Sequence, residues 1–262
     1  MSPLLTKREV WSTWRFELKY QIPIQRYREI RNAMVPHMVP DKYTQDKGEY
    51  LVRSLYYDTF NYQAYHEKIN GNFGRIKIRV RSYTDQKDPN AKLRLELKTR
   101  RGAAMEKFSS FVPQSVFDEF SKTGHWPEDE DNPVLVEFAR LYHLRTLRPK
   151  IIVQYRREGL FSRRREDLRI TFDRQVESCS ASNLFPKETF FRPHHSDKVI
   201  LEIKCKNDQP RWLSSLVKKH GLKFVANSKY TQGVEISRPD VVVPMWSQGH
   251  VSPSSEQWGK KV

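Results

Sequence analysis

The chain has 262 residues, of which 37% are hydrophobic and 30% charged, and it carries a net charge of +16. A chain of this length forms one large β-rich domain or two small ones, and it is long enough to bury a core. The positive balance predicts an anionic partner, and with only two cysteines a disulfide scaffold or a zinc cluster is excluded.

Alternation and turn residues predict a mixture of strands and helices. The first half contains strands over 13–22, 49–58, 74–83, 92–100 and 105–112, and helices over 24–38, 61–69 and 114–122. The second half contains helices over 134–147 and 212–220, strands over 149–157, 167–176 and 199–206, and a helical segment around Lys229. No break in composition divides the chain. We therefore expect an N-terminal extension over 1–12, one domain over 13–238, and a disordered or loosely docked tail over 239–262.

Targeting signals are not apparent in the sequence. Met1 to Val10 contain no apolar run of signal-peptide length, and no stretch approaches the ~18 apolar residues that a membrane span needs. We expect a cytoplasmic protein. If it works at the inner face of the membrane, a separate membrane protein holds it there. No oligomeric state follows from the sequence.

The segment 74–83 is the most regular of the predicted strands. Its cations and its apolar residues alternate, which places them on opposite faces of a β-strand. The cations are Arg75, Lys77, Arg79 and Arg81, and the apolar residues are Ile76, Ile78 and Val80. Four cations in a row repel one another unless an anion lies against them, although a solvated outer face is the simpler alternative.

The same alternation recurs on other predicted strands, which favours the first interpretation. The charged sets are Lys92, Arg94, Glu96, Lys98 and Arg100; Arg15, Glu17 and Lys19; Arg169, Thr171 and Asp173; and Glu202, Lys204 and Lys206. The opposite faces are apolar. We therefore predict an α+β fold whose sheet closes into a barrel, with the apolar face outward under helices and the charged face lining a water-filled tunnel. Such a tunnel suits a polyanion together with a divalent metal.

Six short motifs resemble a known family. They are Arg15-Phe16-Glu17-Leu18-Lys19-Tyr20, Leu55-Tyr56-Tyr57-Asp58-Thr59, Arg79-Val80-Arg81-Ser82-Tyr83, Leu95-Glu96-Leu97-Lys98, Glu202-Ile203-Lys204 and Ser228-Lys229-Tyr230. In this order and spacing they resemble the VTC domain, the polyphosphate polymerase domain of the vacuolar transporter chaperone complex, which has bacterial relatives. The VTC domain is one of the triphosphate tunnel metalloenzymes. The resemblance covers residues 13 to about 236.

The resemblance implies a fold and an activity. The fold is a closed, antiparallel, eight-stranded β-barrel with flanking helices. The activity is transfer of the γ-phosphoryl group of ATP to a growing inorganic polyphosphate chain, with Mn²⁺ or Mg²⁺ as cofactor. The expected partners are thus ATP and polyphosphate. The sequence shows no nucleic-acid-binding motif, so we expect no specific nucleic acid.

The resemblance also implies roles for individual residues. Phosphate-binding roles carry over onto Lys19, Arg79, Arg81, Lys98, Lys107, Arg156 and Lys229, and Lys204 joins them as a mid-strand cation on a charged face. Of these, Lys19, Arg79, Arg81 and Lys98 are the expected catalytic residues. The metal-binding role carries over onto Glu202, with Glu96 and Glu17 as candidate neighbours. Ordinary salt bridges between these glutamates and adjacent lysines are the alternative.

One position departs from the hydrolytic branch of the superfamily. These relatives open with an alternating Glu-x-Glu-x-Lys strand, whereas here Arg15 precedes Glu17 and Lys19. One carboxylate fewer favours a polymerase over a two-metal triphosphatase. A tunnel triphosphatase and a non-catalytic binder of polyphosphate or other polyanions remain the alternatives.

Overall fold

The structure is a computed structural model that describes residues 16–102, 104–128, 130–206 and 208–242. Its strands are β1 Phe16–Pro23, β2 Met38–Pro40, β3 Tyr50–Asp58, β4 Gly74–Ser82, β5 Lys92–Arg101, β6 Ala104–Pro113, β7 Arg148–Ser162, β8 Arg169–Ser180, β9 Arg192–Pro193 and β10 Lys198–Cys205. Its α-helices are α1 Ile24–Met34, α2 Lys42–Lys47, α3 Gln63–Ile69, α4 Gln114–Thr123, α5 Pro133–Leu144, α6 Arg211–Lys219, α7 Lys229–Ser237 and α8 Pro239–Val242. A short 3₁₀ turn, Val35–His37, follows α1.

All ten strands belong to one antiparallel sheet. Its main path runs β1-β10-β8-β7-β3-β4-β5-β6, and β2 and β9 pair with β7 and β8 away from this path. Tyr56, Arg79 and Glu96 lie side by side on β3, β4 and β5. Lys19 and Glu202 lie side by side on β1 and β10. The register therefore places the alternating charges of neighbouring strands on the same face.

The predicted closed barrel of eight strands is wrong in both closure and strand number. The sheet has ten strands, and its path ends at β1 and β6 without backbone pairing between them in the described residues. The sheet is nevertheless curled, because the Lys98 Nζ of β5 lies 3.2 Å from the Glu17 Oε2 of β1. Within the described residues, an ion pair between side chains therefore bridges β1 and β5, where backbone hydrogen bonds would close a barrel.

Helices cover the outer, apolar face, as predicted. One cluster packs α4 and α5 on β4, β5 and β6, with Leu95, Phe120 and Phe138 buried at its centre. A second packs α1 and α6 on β1, β8 and β10 around Met34 and Phe172. Burial of these side chains is the main favourable contribution to folding, at about 1.5–3 kcal/mol for each large apolar side chain.

Several elements differ from the sequence-based prediction. The first helix ends at Met34 rather than at residue 38, because Pro36 lacks the backbone N–H that would continue it. Helix α2 begins at an N-cap, Asp41, whose Oδ1 accepts from the Thr44 N–H at 2.9 Å. This helix was not predicted. The first four residues of the predicted tail form α8, and residues 243–262 lie outside the described residues.

Helix α7 lies on the inner side of the curled sheet. Its Gly233 packs beside Ile151 and Val153 of β7, at a distance that leaves little room for a side chain. The Tyr230 hydroxyl donates to the Asp58 carboxylate at 2.5 Å, which ties α7 to the end of β3. The helix thereby fills part of the curled space and brings Lys229 to the charged face.

Candidate functional site

The inner face of the sheet is rich in cations. We define this face by the charged side chains that share its parity, with Lys229 added from α7. Those that form the candidate site are Glu17, Lys19, Lys77, Arg79, Arg81, Arg94, Glu96, Lys98, Lys107, Arg157, Asp173, Glu202 and Lys204, and the rows of β4 and β5 continue to one end with Arg75 and Arg100. The inner face thus brings together every sequence-predicted site residue except Arg156. Arg15, the residue that departs from the hydrolytic pattern, lies outside the described residues.

Glu96 organises the first group of cations on the inner face. Its carboxylate is almost fully buried and accepts from the Arg79 Nε at 2.6 Å. The Lys107 Nζ lies 2.7 Å away, and the Arg81 Nη1 3.6 Å away. Burial alone would raise the pKa of Glu96, but the charges of Arg79, Arg81 and Lys107 outweigh it and hold the pKa well below its usual range. One carboxylate therefore orients several cations and leaves them with surplus positive charge.

Arg79 and Arg81 are also held by β3. The Arg79 Nη1 donates to the Tyr56 hydroxyl at 2.9 Å, and the Arg81 Nε donates to the Ser54 hydroxyl at 3.2 Å. Both arginines are thereby fixed in orientation before any ligand arrives. A guanidinium fixed in this way binds phosphate oxygens with little loss of side-chain entropy.

Glu17 and Glu202 form the second group. Their carboxyl groups lie close together on the inner face, where β1 pairs with β10 so that Glu17 lies opposite Lys204 and Lys19 lies opposite Glu202. The Lys19 Nζ lies 2.9 Å from Glu17, and the Lys204 Nζ lies 3.3 Å from Glu202. Lys98 contacts Glu17 across the seam of the sheet. Burial alone would raise the pKa of Glu202, but the positive charges of Lys204, Lys19 and Arg157 outweigh it and hold the pKa well below its usual range.

Asp173 holds the third group. The Arg157 guanidinium donates to both oxygens of Asp173, at 2.6 and 2.8 Å, and the Lys229 Nζ donates to Oδ2 at 2.6 Å. Although burial opposes it, the positive charges of Arg157 and Lys229 lower the pKa of Asp173 to about 2. The Arg157 Nη2 also lies 3.6 Å from the Glu202 Oε2, which links this group to the second one.

The structure places Arg156 on the other side of the sheet. Its side chain is exposed, and it shares its parity with Gln154, which accepts from the outward-facing Arg53 at 2.7 Å. The adjacent Arg157 faces inward in its place. The pairing of β3 with β7 sets this orientation, because Arg157 lies opposite the inward-facing Tyr50 and Arg156 lies opposite Leu51. The inward positions of β7 before Arg157 are Ile151, Val153 and Tyr155, which carry no charge. The residue onto which the resemblance carries a phosphate-binding role, Arg156, thus lies outside the inner face, whereas Arg157 lies on it.

Four inner-face residues were absent from the predicted site. They are Lys77, Arg94, Arg157 and Asp173. Lys77, Arg94 and Asp173 belong to alternating charged sets in the sequence, so the same parity argument could have included them. Arg157 carried no such signal, because only the pairing of β7 in the sheet shows which face it occupies.

Lys77 is one of two inner-face lysines whose pKa is lowered to about 7; the other is Lys107, whose pKa is lowered mainly by burial. Lys77 donates to the Ser228 hydroxyl at 2.7 Å. Burial, and then the positive charges of Lys19, Lys68, Lys98 and Arg75, lower its pKa to about 7. An anion bound beside it would favour the charged form and raise this pKa. Anion binding should therefore be coupled to proton uptake.

We expect the affinity for tripolyphosphate to fall between pH 7 and pH 9, by up to about tenfold per pH unit for one linked proton. Lys77 is partly charged at pH 7 and neutral at pH 9, whereas phosphate groups, with a second pKa near 6, are already ionised at both. Isothermal titration calorimetry at the two pH values checks this. In Lys77→Arg the side chain stays charged, so the pH dependence of the affinity should become weaker, and the part that remains should come from Lys107. An unchanged slope would exclude Lys77 as a source of the dependence.

The carboxylates of the inner face differ in how well they suit a divalent metal. Mg²⁺ and Mn²⁺ usually take one or two carboxylates, with phosphate oxygens and water as further ligands. Among the residues that the structure describes, no group of three or more His, Cys, Asp or Glu side chains could hold a metal ion. The neighbouring pair Glu17 and Glu202 fits the smaller requirement. Glu96 is surrounded by cations instead, so its predicted metal role has no support from the geometry.

The chain was compared with known proteins. No curated protein matches it. The solved structures that match include a candidate adenylate cyclase from Bacillus halodurans, 12% identical, with a TM-score of 0.47 over 82% of this chain and 95% of that one. They also include a Mimivirus capping enzyme triphosphatase, 12% identical, with a TM-score of 0.22 over 77% of this chain and 98% of that one.

Two further findings concern the whole chain. No helix among the described residues has both the length and the apolar character to cross a membrane. The sequence model of the VTC domain matches residues 14–238. This match spans most of the chain, and the chain therefore belongs to the VTC domain family.

Proposed function

We propose that this protein is a polyphosphate polymerase, which transfers the γ-phosphoryl group of ATP to the end of an inorganic polyphosphate chain. The observation that carries the proposal is the excess of fixed cations over carboxylates on the inner face, in rows that follow several adjacent strands. Membership of the VTC domain family supports it, as does the curled sheet that confines this charge. A confined, cationic surface of this length suits an extended polyanion.

The substrate phosphates would lie against Arg79 and Arg81. Both guanidinium groups are oriented by Glu96 and by hydroxyl groups of β3, and each can bind two phosphate oxygens. Lys19, Lys98 and Lys204 would bind the neighbouring phosphates of the chain. Because phosphoryl transfer depends mainly on alignment and on charge stabilisation, this fixed array supplies most of what the reaction needs.

The transfer itself needs little proton movement. A terminal oxygen of the polyphosphate chain attacks the γ-phosphorus, the bond to the β–γ bridging oxygen breaks, and ADP leaves with that oxygen. The attacking phosphate is ionised near pH 7, since the second pKa of a phosphate group is about 6. The charge that accumulates on the oxygens in the transition state is stabilised by Arg79, Arg81 and Lys98.

Glu17 and Glu202 are the residues that would hold a divalent metal. When bound there, Mn²⁺ or Mg²⁺ would neutralise phosphate oxygens and orient the triphosphate. In the chain itself, Lys19 already contacts Glu17 and Lys204 contacts Glu202, so the two carboxylates are held in place.

The substitution Glu202→Gln tests the metal role directly. It keeps the shape of the side chain but removes one charge from the pair, so we expect Mn²⁺ affinity in the presence of tripolyphosphate to fall by about tenfold or more. Electron paramagnetic resonance of free Mn²⁺ measures this without any need for turnover. Glu106→Gln, an exposed glutamate of β6, is the control. Equal Mn²⁺ affinities of Glu202→Gln and Glu106→Gln would show that Glu202 is not a metal ligand.

The activity is tested with γ-labelled ATP and Mn²⁺, with products resolved on a gel that separates phosphate chains. A ladder that exopolyphosphatase degrades supports the polymerase. Free phosphate alone would instead indicate a tunnel triphosphatase. Unchanged ATP together with salt-sensitive polyphosphate binding would indicate a non-catalytic polyanion binder.

A further inference from the structure

Three tyrosines gather at one end of the inner face. Tyr50 begins β3, Tyr83 follows β4, and Tyr43 lies on α2. The Tyr43 and Tyr83 rings are nearly parallel, with 6.0 Å between their centroids, and the Tyr50 ring lies 5.4 Å from Tyr43 and 6.2 Å from Tyr83. We call Tyr43, Tyr50 and Tyr83 the tyrosine cluster. Tyr43, at its outer edge, is 46% exposed.

The tyrosine cluster is continuous with the phosphate-binding cations. Tyr83 has the same parity as Arg81 and follows it by two residues, which is about 7 Å along a strand. Tyr50 lies directly opposite Arg157 in the pairing of β3 with β7. A ligand whose phosphates contact Arg81 and Arg157 would therefore bring its next chemical group to the three rings.

Contacts with β7 and β8 hold helix α2, and with it Tyr43, in place. The Asp41 N–H donates to the Gly159 carbonyl at 2.8 Å, and the Gly159 N–H donates to the Thr44 hydroxyl at 2.9 Å. A Cβ atom at position 159 would stand only 2.0 Å from the Asp41 Oδ2, so glycine is required there. Arg169 adds an ion pair to Asp41 at 3.0 Å. These contacts hold an exposed aromatic ring at the end of the inner face.

The opposite end of the inner face has a different chemistry. There Arg75 of β4 lies directly opposite Arg100 of β5, Arg101 is exposed beside them, and Lys68 of α3 lies close by. That end suits the many negative charges of a polyphosphate chain. A nucleoside is uncharged, and its base has π-faces that stack on aromatic rings.

We propose that the tyrosine cluster binds the base of a nucleoside triphosphate, with the triphosphate directed inward along Arg81 and Arg157. This rests on the proposed function for the identity of the donor, and it adds the position and orientation of that donor. The base stays at the tyrosine end, and the growing chain extends toward Arg75 and Arg100. Stacking tolerates different bases, so ATP and GTP should both bind.

The test compares two ligands that share a triphosphate and differ in the nucleoside. Dissociation constants for ATP and for inorganic tripolyphosphate are measured by calorimetry on the full chain, with Mg²⁺, for the parent and for Tyr43→Ala. Loss of base stacking should weaken ATP binding by about fivefold to a hundredfold and leave tripolyphosphate binding unchanged. Tyr43→Phe keeps the ring and should bind ATP like the parent.

Phe73→Ala is the matched control, because Phe73 is 70% exposed and lies near the opposite, cationic end. It should leave ATP affinity unchanged. A loss of ATP affinity in Phe73→Ala and not in Tyr43→Ala would overturn the proposed orientation. Equal weakening of both ligands in Tyr43→Ala would overturn the nucleoside site, and a melting temperature within about 2 °C of the parent confirms that the variant is folded.

The two proposals fail in different ways. Suppose that no polymer forms, and that Tyr43→Ala has a lower affinity for ATP and an unchanged affinity for tripolyphosphate. This result would support the nucleoside site and contradict the polymerase proposal. If polymer forms and Tyr43→Ala binds ATP as tightly as the parent, the result would support the polymerase proposal and contradict the nucleoside site.

Discussion

Arg79→Gln is expected to reduce polyphosphate synthesis by about a hundredfold to a thousandfold, the usual cost of removing one fixed donor that stabilises transition-state charge. Arg79 donates to both Glu96 and Tyr56, so its guanidinium is fixed in the inner face. Glutamine cannot supply the charge or the two-point contact with phosphate. Initial rates of chain synthesis from labelled ATP measure the effect.

The fold should survive this substitution. Glu96 keeps Lys107 at 2.7 Å and Arg81 at 3.6 Å, so no buried carboxylate loses all its partners. Arg156→Gln removes an arginine from the exposed outer side of β7 and is the matched control, with an expected rate within about twofold of the parent. Equal rates for Arg79→Gln and the parent would show that phosphate is not transferred at this site.

Arg157→Ala is expected to lower the melting temperature by about 6–12 °C. Arg157 makes two hydrogen bonds to the buried Asp173 and contacts Glu202, and its loss should cost about 3 kcal/mol of the free energy of unfolding. For a domain of this size, each kcal/mol corresponds to about 2–4 °C. Lys229 still pairs with Asp173, which limits the loss.

Differential scanning calorimetry at neutral pH measures this change. Arg156→Ala, one residue earlier in the chain, should leave the melting temperature within about 1 °C, because its side chain is exposed and surface substitutions have small effects. If both variants melted like the parent, the Arg157–Asp173 pair would contribute nothing to stability. If Arg156→Ala were the destabilised one, the placement of β7 in the sheet would be wrong.

Much of the candidate site could be predicted from the alternation of charges. The rows Lys77, Arg79, Arg81 and Arg94, Glu96, Lys98 share a face because successive side chains of a strand point to opposite sides, a property of the local backbone. The family followed from six short motifs, and the match over residues 14–238 confirms it. The polymerase activity and the metal remain predictions.

Other features of the site were decided by residues far apart in the sequence. Glu17 lies near Glu202 and contacts Lys98 because β1 pairs with β10 and the sheet curls. The tyrosine cluster joins α2, β3 and the end of β4, and it has no signature in any one segment. Such contacts depend on the twist and curl of the whole sheet, which accumulate over many strands.

By itself, the sequence determined the charge of the protein, the two faces of its strands and its family, because composition, period and motif are local properties. Only the tertiary structure decided that β1 and β6 are not paired with each other within the described residues, that Glu96 orients arginines while Glu17 lies near Glu202, and that Arg157 faces inward. The physical reason is that a one-residue shift in pairing moves a side chain to the opposite face of a sheet. For β7, the pairing with β3 decides the face, because it sets Arg157 opposite Tyr50. The inward residues before Arg157 are uncharged, so the local sequence shows no alternation of charge from which this face could be predicted.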